Sequence, residues 1–210
     1  MAPPPRRSTT YRGQITTENQ QLMKCGVVIF PGSNCDEDII YTLGHIMGQQ
    51  VERLWHKDHD LKGSELIVLP GGFSYGDYLR SGAIARFSPI MNEVIGHAKR
   101  GGYLLGICNG FQVLAEAGLV PGALLRNNHQ KFVCKNLYIT PESTKSPVTS
   151  SLEAGKAYKI PVAHAEGRYF AKPDQLKQLQ DNDQVIFRYC DASGNVAEDA
   201  NPNGSLLNIA

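Results

Sequence analysis

Glycine stands two positions before and two positions after Cys108, in the stretch 104–112 (LLGICNGFQ). An apolar run typical of a buried strand precedes this cysteine, and a helical pattern follows it. Small residues at both glycine positions allow a sharp turn from strand to helix, from which the cysteine side chain projects. The dipole and free amides of a helix N-terminus favour the thiolate, the reactive form of cysteine. The spacing therefore predicts a cysteine nucleophile, with the amide of Asn109 placed to stabilise an oxyanion.

A second glycine-containing turn follows another apolar run. The stretch 69–77 (LPGGFSYGD) comes directly after residues 65–69, which are typical of a buried strand. If the two strands are neighbours, the amide of Gly72 completes an oxyanion hole with that of Asn109. Taken alone, each motif also has a purely structural interpretation. Cys108 could be an ordinary buried thiol on a glycine turn, and the stretch 69–77 could be a turn without function. Because both motifs follow strands, they meet at the sheet edge where open α/β proteins bind ligands, and this favours the functional interpretation.

Strand and helix patterns alternate around these motifs. The predicted strands cover residues 24–30, 51–55, 65–69 and 103–107, and the predicted helices cover 36–47, 90–99 and 109–117. Strands that are apolar on both faces and alternate with helices predict an α/β fold, with an open, mostly parallel sheet and helices on both faces. After Pro121 the strand-like runs are no longer separated by long helical patterns, and we expect an antiparallel extension. Its predicted elements are strands at 123–139, 158–162 and 184–189, a short helix at 173–179, and a hairpin with turn signals in 191–204.

Composition excludes several classes of protein. The 210 residues include 21 basic and 20 acidic side chains, so the near-neutral charge gives no reason to expect nucleic acid or a membrane surface as a partner. No apolar run approaches the length of a bilayer span. The five cysteines show neither a CxxC pair nor zinc-ligand spacing, so we expect a reduced, cytoplasmic protein without a bound metal. Cys25, Cys134 and Cys190 lie in strand-like runs and are predicted to be ordinary buried thiols.

The first residues differ from the rest. Residues 1–22 hold three prolines in a row and many polar side chains, which cannot form a core, so we interpret them as a disordered N-terminal tail or a remnant of cloning. A transit peptide is the alternative, since this stretch contains three arginines and one acidic residue. Residues 23–210 are predicted to form one domain.

Four motifs together carry a resemblance to a known family. The stretches VVIFPGSNCD, LPGGFSYGD, LLGICNGFQ and PVAHAEGRYF, in this order, resemble class I glutamine amidotransferases. More narrowly, they are similar to the glutaminase subunits of phosphoribosylformylglycinamidine synthases, over about residues 24–210. The resemblance implies the flavodoxin-like class I amidotransferase fold and a cytoplasmic enzyme of purine biosynthesis.

The resemblance also implies a reaction and its partners. Cys108 would attack the amide of L-glutamine, the amides of Gly72 and Asn109 would hold the oxyanion, and water would hydrolyse the resulting thioester. Phe73, Ser74 and Gln112 match positions expected to line the glutamine pocket, although Gln112 is also explained as a helix-surface residue. Ammonia would pass to a large synthetase subunit that uses ATP and Mg, with a small accessory subunit in the same complex. This subunit would need no cofactor of its own.

The proton-transfer partner of the cysteine is not evident. The family uses a His-Pro-Glu motif that would follow residues 204–210, and no such motif occurs in this sequence, so we expect the chain to be truncated and poorly active. His164 and Glu166 imitate a dyad, because positions two apart share one face of a strand. They belong to a separate family motif, so we disfavour them as the base and expect His164 at a pocket rim or an interface. The charged neighbours of His56 and His59 predict that both are solvated.

Two alternative functions remain open at this level. The missing base would suit a pseudo-amidotransferase that acts as a scaffold for the large subunit, whereas the intact cysteine and glycine motifs oppose that interpretation. A cysteine hydrolase or glyoxalase-like protein of the same fold would need an early glutamate beside Cys108. Glu37 is the candidate, but it is explained equally well as an acidic residue at a helix start.

Overall fold

Four parallel strands form the main sheet of the computed structural model, which describes residues 22–210. They are β1 (Lys24–Ile29), β2 (Gln50–Trp55), β3 (Leu66–Leu69) and β4 (Tyr103–Gly106), arranged in the order β2-β1-β3-β4. β3 pairs directly with β4, with Val68 opposite Leu105. The two glycine motifs therefore leave neighbouring strands at the same edge of the sheet, as the sequence predicted.

Helices cover both faces of this sheet. α1 (Asp36–Tyr41) packs on one face against Val27 and Val68, while α2 (Pro89–Lys99) and α3 (Asn109–Glu116) pack on the other face against Val28 and Ile67. The helix predicted at 36–47 is present, but its second half, Thr42–Ile46, is π-helical. The α/β class and the helices on both faces are thus confirmed.

The remainder of the chain is antiparallel, as expected. β5 (Ala123–Leu125) pairs with β8 (Arg168–Phe170), and a three-stranded sheet contains β6 (Val133–Pro141), β7 (Tyr158–His164) and β9 (Phe187–Cys190) in the order β7-β6-β9. α4 (Pro173–Asp181) precedes β9. The single strand predicted at 123–139 is wrong, because residues 126–132 leave the strand and form a loop.

The hairpin predicted within 191–204 is also wrong. The carboxylate of Asp191 folds back to accept hydrogen bonds from the amides of Ser193 and Asn195, which closes a turn. Two short 3₁₀ helices, Glu198–Ala200 and Leu206–Asn208, then lead the chain back to β9. The return is made through one antiparallel bridge, between Arg188 and Ile209, instead of a regular strand.

Residues 1–21, which make up the predicted N-terminal tail apart from its last residue, Leu22, lie outside the described part of the chain. Between residues 22 and 210, no helix combines the length and apolar character needed to cross a bilayer. All five cysteines are free. Cys25 and Cys190 are buried as predicted, whereas Cys134 is exposed. That prediction was wrong because the side chain of Cys134 points to the uncovered face of β6.

Candidate active site

Cys108 occupies a strained turn between β4 and α3. Its backbone angles are φ 52° and ψ −111°, and the left-handed φ is unfavourable for a residue with a Cβ atom. The flanking glycines are required by close packing. A Cβ atom on Gly110 would lie 1.9 Å from the carbonyl oxygen of Leu69, and one on Gly106 would lie 2.6 Å from Cδ1 of Leu114. The turn therefore presents Cys108, which is exposed, on a backbone that only glycine can build at both flanks.

The glycine turn after β3 packs directly against this cysteine. A Cβ atom on Gly71 would lie 3.4 Å from Cβ of Cys108 and 3.6 Å from Sγ of Cys35. Gly72 has a φ of +139°, and a side chain there would lie 2.5 Å from the amide nitrogen of Asn34. The turns that follow β1, β3 and β4 thus converge on one point, as expected at the carboxyl edge of a parallel sheet.

Two main-chain amides remain available beside Cys108. Within residues 22–210, the amides of Gly72 and Asn109 have no hydrogen-bond acceptor, although their neighbours do. The amide of Phe73 donates to the carbonyl oxygen of Gly32 at 2.9 Å, and that of Ser74 donates to the side chain of Asn109 at 2.9 Å. The two amides predicted to form an oxyanion hole are therefore free to donate to a ligand.

The side chain of Asn109 clamps the glycine turn to α3. It is buried, and its Nδ2 donates to Oδ1 of Asp77 at 3.1 Å and to Oε1 of Gln112 at 2.9 Å, while its Oδ1 accepts the amide of Ser74. Sequence reasoning considered only the backbone amide of this residue. The sequence feature that could have predicted these side-chain bonds is an asparagine at the start of a buried helix, because its amide can donate and accept hydrogen bonds at once.

The residues predicted to line a glutamine pocket have different environments. Phe73 is half exposed beside the turn, whereas Ser74 is only 2% exposed, so its hydroxyl is not presented at the surface. Gln112 is partly buried and donates from Nε2 to the carbonyl oxygen of Glu166 at 2.9 Å. Gln112 is therefore not a free residue on the helix surface. It joins α3 to the segment that follows β7.

His164 and Glu166 do not form a dyad. The imidazole of His164, at the end of β7, packs on Gly167, and its Nε2 lies 3.5 Å from Nδ2 of Asn203. Burial lowers the pKa of His164. The carboxylate of Glu166 instead accepts the amide of Ser81 at 3.1 Å. The strand ends at His164, so the two side chains no longer share a face and each has a different partner.

Two further sequence interpretations, for His56 and Glu37, can be compared with the structure, and Asp77 is a partly buried carboxylate that the sequence did not single out. His56 was predicted to be solvated, but it is 4% exposed and bonds to Tyr75, because β2 carries it under the glycine turn. Glu37 pairs with Arg53, with 2.6 Å between Oε2 and Nη2, so it is held away from a role beside Cys108. This pairing lowers the pKa of Glu37. Asp77 has a raised pKa because it is buried, although hydrogen bonds from Ser81 and Asn109 partly offset the effect.

Comparison with known proteins agrees with this geometry. The chain belongs to the CobB/CobQ-like glutamine amidotransferase domain family, whose model matches residues 23–210. Among its relatives, the phosphoribosylformylglycinamidine synthase subunit PurQ of Chlorobium chlorochromatii is 57% identical over 185 residues, which are 88% of this chain and 79% of the relative. The PurQ subunit of Moorella thermoacetica is 54% identical over 188 residues, 90% of this chain and 80% of the relative.

A solved structure supports the same assignment. The structure of PurLQS from Thermotoga maritima matches with a TM-score of 0.75 and 40% identity, over 90% of this chain and 80% of the matched chain. The resemblance drawn from the four sequence motifs is therefore confirmed, and the chain is a glutamine amidotransferase similar to PurQ.

Proposed function

We propose that the chain is the glutaminase subunit of a phosphoribosylformylglycinamidine synthase and that Cys108 is its nucleophile. The observation that carries the proposal is the strained Cys108 turn, against which the Gly71–Gly72 backbone packs with two unused amides at hand. A strained, exposed thiol beside free N–H donors has the geometry required for acyl transfer. Membership of a glutamine amidotransferase family supports a glutamine side chain as the acyl donor.

In the proposed reaction, the thiolate sulfur of Cys108 attacks the amide carbon of L-glutamine. The carbonyl oxygen takes up the negative charge and accepts hydrogen bonds from the amides of Gly72 and Asn109. The C–N bond then breaks, the nitrogen takes a proton and leaves as ammonia, and a γ-glutamyl thioester remains on the sulfur. Water attacks this thioester, which releases glutamate and regenerates the thiol.

The proton transfers require an acid–base group, and we do not assign this role to His164. Four imidazoles within residues 22–210 hydrogen-bond to groups other than Cys108, namely His56, His97, His129 and His164. We propose that His164 supports the loops around Gly167 instead of serving as the base. Replacement of His164 by alanine then leaves the rate of Cys108 acylation unchanged, and abolished acylation in a folded variant would restore the His164–Glu166 pair as the base.

Labelling with a diazoketone analogue of glutamine tests the nucleophile. We expect covalent modification at Cys108, located by peptide mass spectrometry, and none in the Cys108→Ser variant. Cys35→Ser is the matched control, because Cys35 is the exposed thiol that packs against the same Gly71. Selective labelling contradicts the scaffold interpretation, whereas equal modification of Cys35 and Cys108, or none at either, supports a non-catalytic scaffold.

We further propose that the ammonia is used by a large synthetase subunit, which binds ATP and Mg, in a cytoplasmic complex that includes a small accessory subunit. The likeness to the PurLQS structure supports the association. No cofactor is assigned to this chain. In the assembled complex, Cys108→Ser is expected to abolish synthesis from glutamine and to preserve synthesis from added ammonium. Loss of both activities in an intact complex would contradict a role limited to ammonia supply.

A further inference from the structure

A buried hydrogen-bond chain lies behind the glycine turn. Oη of Tyr75 is 2.6 Å from Nδ1 of His56 and 2.9 Å from Oγ of Ser88. His56 and Ser88 are each 4% exposed, and the rings of His56 and Tyr75 meet edge to face at 87°. Three polar side chains from three separate segments therefore satisfy one another in an apolar surrounding, where an unpaired polar group is costly.

Ser88 is used in an unusual way. It occupies the N-cap position of α2, where a serine hydroxyl ordinarily accepts a hydrogen bond from an amide of the first helical turn. Here the side chain makes no capping bond, and its hydroxyl bonds to Tyr75 instead. The helix thus forgoes a stabilising cap of about 1 kcal/mol. The hydroxyl of Ser88 is therefore committed to Tyr75 and not to the first turn of α2.

Tyr75 lies within the most strained part of the turn. Tyr75, Gly76 and Asp77 have consecutive left-handed φ angles of 54°, 68° and 53°, a conformation that costs free energy at the two residues with side chains. On one side, Asn109 holds this turn through Ser74 and Asp77. On the other side, His56 and Ser88 hold it through the hydroxyl of Tyr75.

We infer that Tyr75, His56 and Ser88 are positioning residues that hold the glycine turn so that the amide of Gly72 faces the oxyanion formed at Cys108. The inference rests on the proposed function, and none of the three side chains is assigned contact with the substrate. The strained turn needs restraints on both sides to keep its backbone fixed, and Asn109 supplies one of them. Backbone hydrogen bonds from Phe73 to Gly32 and from Tyr75 to Pro31 also hold this turn. The hydroxyl of Tyr75 adds the side-chain restraint on the other side, so its removal leaves the thiol in place and loosens the oxyanion amide.

Two alkylating probes separate these effects in the Tyr75→Phe variant. A diazoketone analogue of glutamine needs the aligned site, whereas iodoacetamide reports only on the thiol. We expect alkylation of Cys108 by the diazoketone to slow about tenfold or more, because the ketone oxygen is no longer held by the Gly72 amide and the reacting carbon is misplaced relative to the sulfur. Alkylation by iodoacetamide is expected to stay within about twofold, because the thiol itself is unchanged. Equal rates with the diazoketone in the variant and the unsubstituted chain would overturn the inference.

Tyr169→Phe is the matched control. Its hydroxyl donates to the carbonyl oxygen of Pro121 at 2.6 Å, so the same atom and a bond of the same length are lost away from the turn. The control is expected to keep the diazoketone rate, and an equal loss in both variants would show a general stability effect and overturn the inference. His56→Asn, which keeps a polar atom near Nδ1, is expected to retain much more of the rate than His56→Leu. Equal rates in these two variants would show that the hydrogen bond between His56 and Tyr75 does not help to position the glycine turn.

Hydrogen exchange at residues 72–77 gives a readout that does not depend on chemistry. Faster exchange in Tyr75→Phe, with no change in Tyr169→Phe, supports the inference even if no variant reacts with the diazoketone. Unchanged exchange would overturn it. Absence of diazoketone labelling in the unsubstituted chain would count against the proposed glutaminase function alone. Failure of the proposed function can therefore be told apart from failure of the inference about Tyr75, His56 and Ser88.

Discussion

The parallel and antiparallel regions of this protein are held together by different interactions. In the parallel region, strands and helices meet through apolar side chains such as Ile67, Leu69 and Val113, which are fully buried. In the antiparallel region, the fully buried side chains include the amides of Asn127 and Asn203. Asn203 donates to the carbonyl oxygen of Gly167 at 2.9 Å and accepts the amide of Ser205 at 2.9 Å. The sheet of the first region is fixed mainly by apolar packing. In the second, apolar clusters such as that of Leu137 and Ile139 are supplemented by hydrogen bonds from buried amide side chains to the backbone.

The candidate site depends on both regions. Its strained turns belong to the parallel region, where close packing leaves no room for side chains on Gly106 and Gly110. Glu166 joins the regions, since its carbonyl oxygen accepts from Gln112 and its carboxylate accepts from the amide of Ser81. The reactive backbone is therefore built on the closely packed parallel region and is tied to the antiparallel region by hydrogen bonds to Glu166.

The largest expected effect comes from breaking the close packing of the parallel region. Gly110→Ala places a methyl group 1.9 Å from a backbone oxygen that cannot move aside, so we expect a loss of about 3 kcal/mol or more in the free energy of unfolding. Gly44→Ala is the control, because its Cβ would meet only Val51 at 3.6 Å. Urea unfolding measures both, and similar midpoints for the two variants would contradict the steric account.

The antiparallel region is expected to be sensitive to the loss of a single amide. Asn203→Leu keeps the branched shape of the side chain but removes its hydrogen bonds to the carbonyl oxygen of Gly167 and the amide of Ser205, which we expect to cost about 3 kcal/mol. Asn195→Ala is the control, since Asn195 is exposed and bonds only to Asp191 by its side chain. If urea unfolding shows the two variants to be equally stable, apolar packing and not the amide network holds this region.

The same difference explains how much of the structure could be predicted from sequence. Apolar runs give strands, so β1, β3 and β4 were predicted to within one residue at each end, and the glycine spacing located the Cys108 turn. The wrong hairpin at 191–204 has the opposite cause. There the chain follows hydrogen bonds of the Asn201 side chain, which accepts from the amide of Gly204, and of Asn208, which donates to the carbonyl oxygen of Ala197. The pattern of apolar residues does not reveal these bonds.

The site shows the same limit on prediction. The backbone donors at Gly72 and Asn109 could be proposed from motif and strand order, and whether they act in catalysis stays a prediction. The restraints around them could not be proposed, because His56 and Tyr75 are 19 residues apart and Gln112 and Glu166 are 54 apart. Charged neighbours even suggested that His56 is solvated. Contacts of this kind follow only from the way the turns meet at the sheet edge.

The smallest expected effect is on the pH dependence of stability, and it concerns one carboxylate from each region, Asp77 and Asp191. Burial raises the pKa of Asp77, whereas hydrogen bonds from Asn195 lower that of Asp191. Folded Asp77 therefore holds its proton more tightly than the unfolded chain does, and its contribution to stability is lost as the pH rises from the ordinary aspartate pKa of about 3.9 to the raised value. Folded Asp191 holds its proton less tightly, so its contribution is present above the ordinary pKa and is lost as the pH falls through the lowered value.

Asp77→Asn and Asp191→Asn are accordingly expected to change the pH dependence of unfolding in opposite directions. As the pH rises from about 3 to 7, the native chain should lose stability relative to Asp77→Asn and gain it relative to Asp191→Asn. Urea unfolding at a series of pH values measures both differences. The same sign for the two variants would mean that Asp77 is more hydrated than its burial beside the Cys108 turn indicates, and the turn would then be less closed than the parallel region on which it stands.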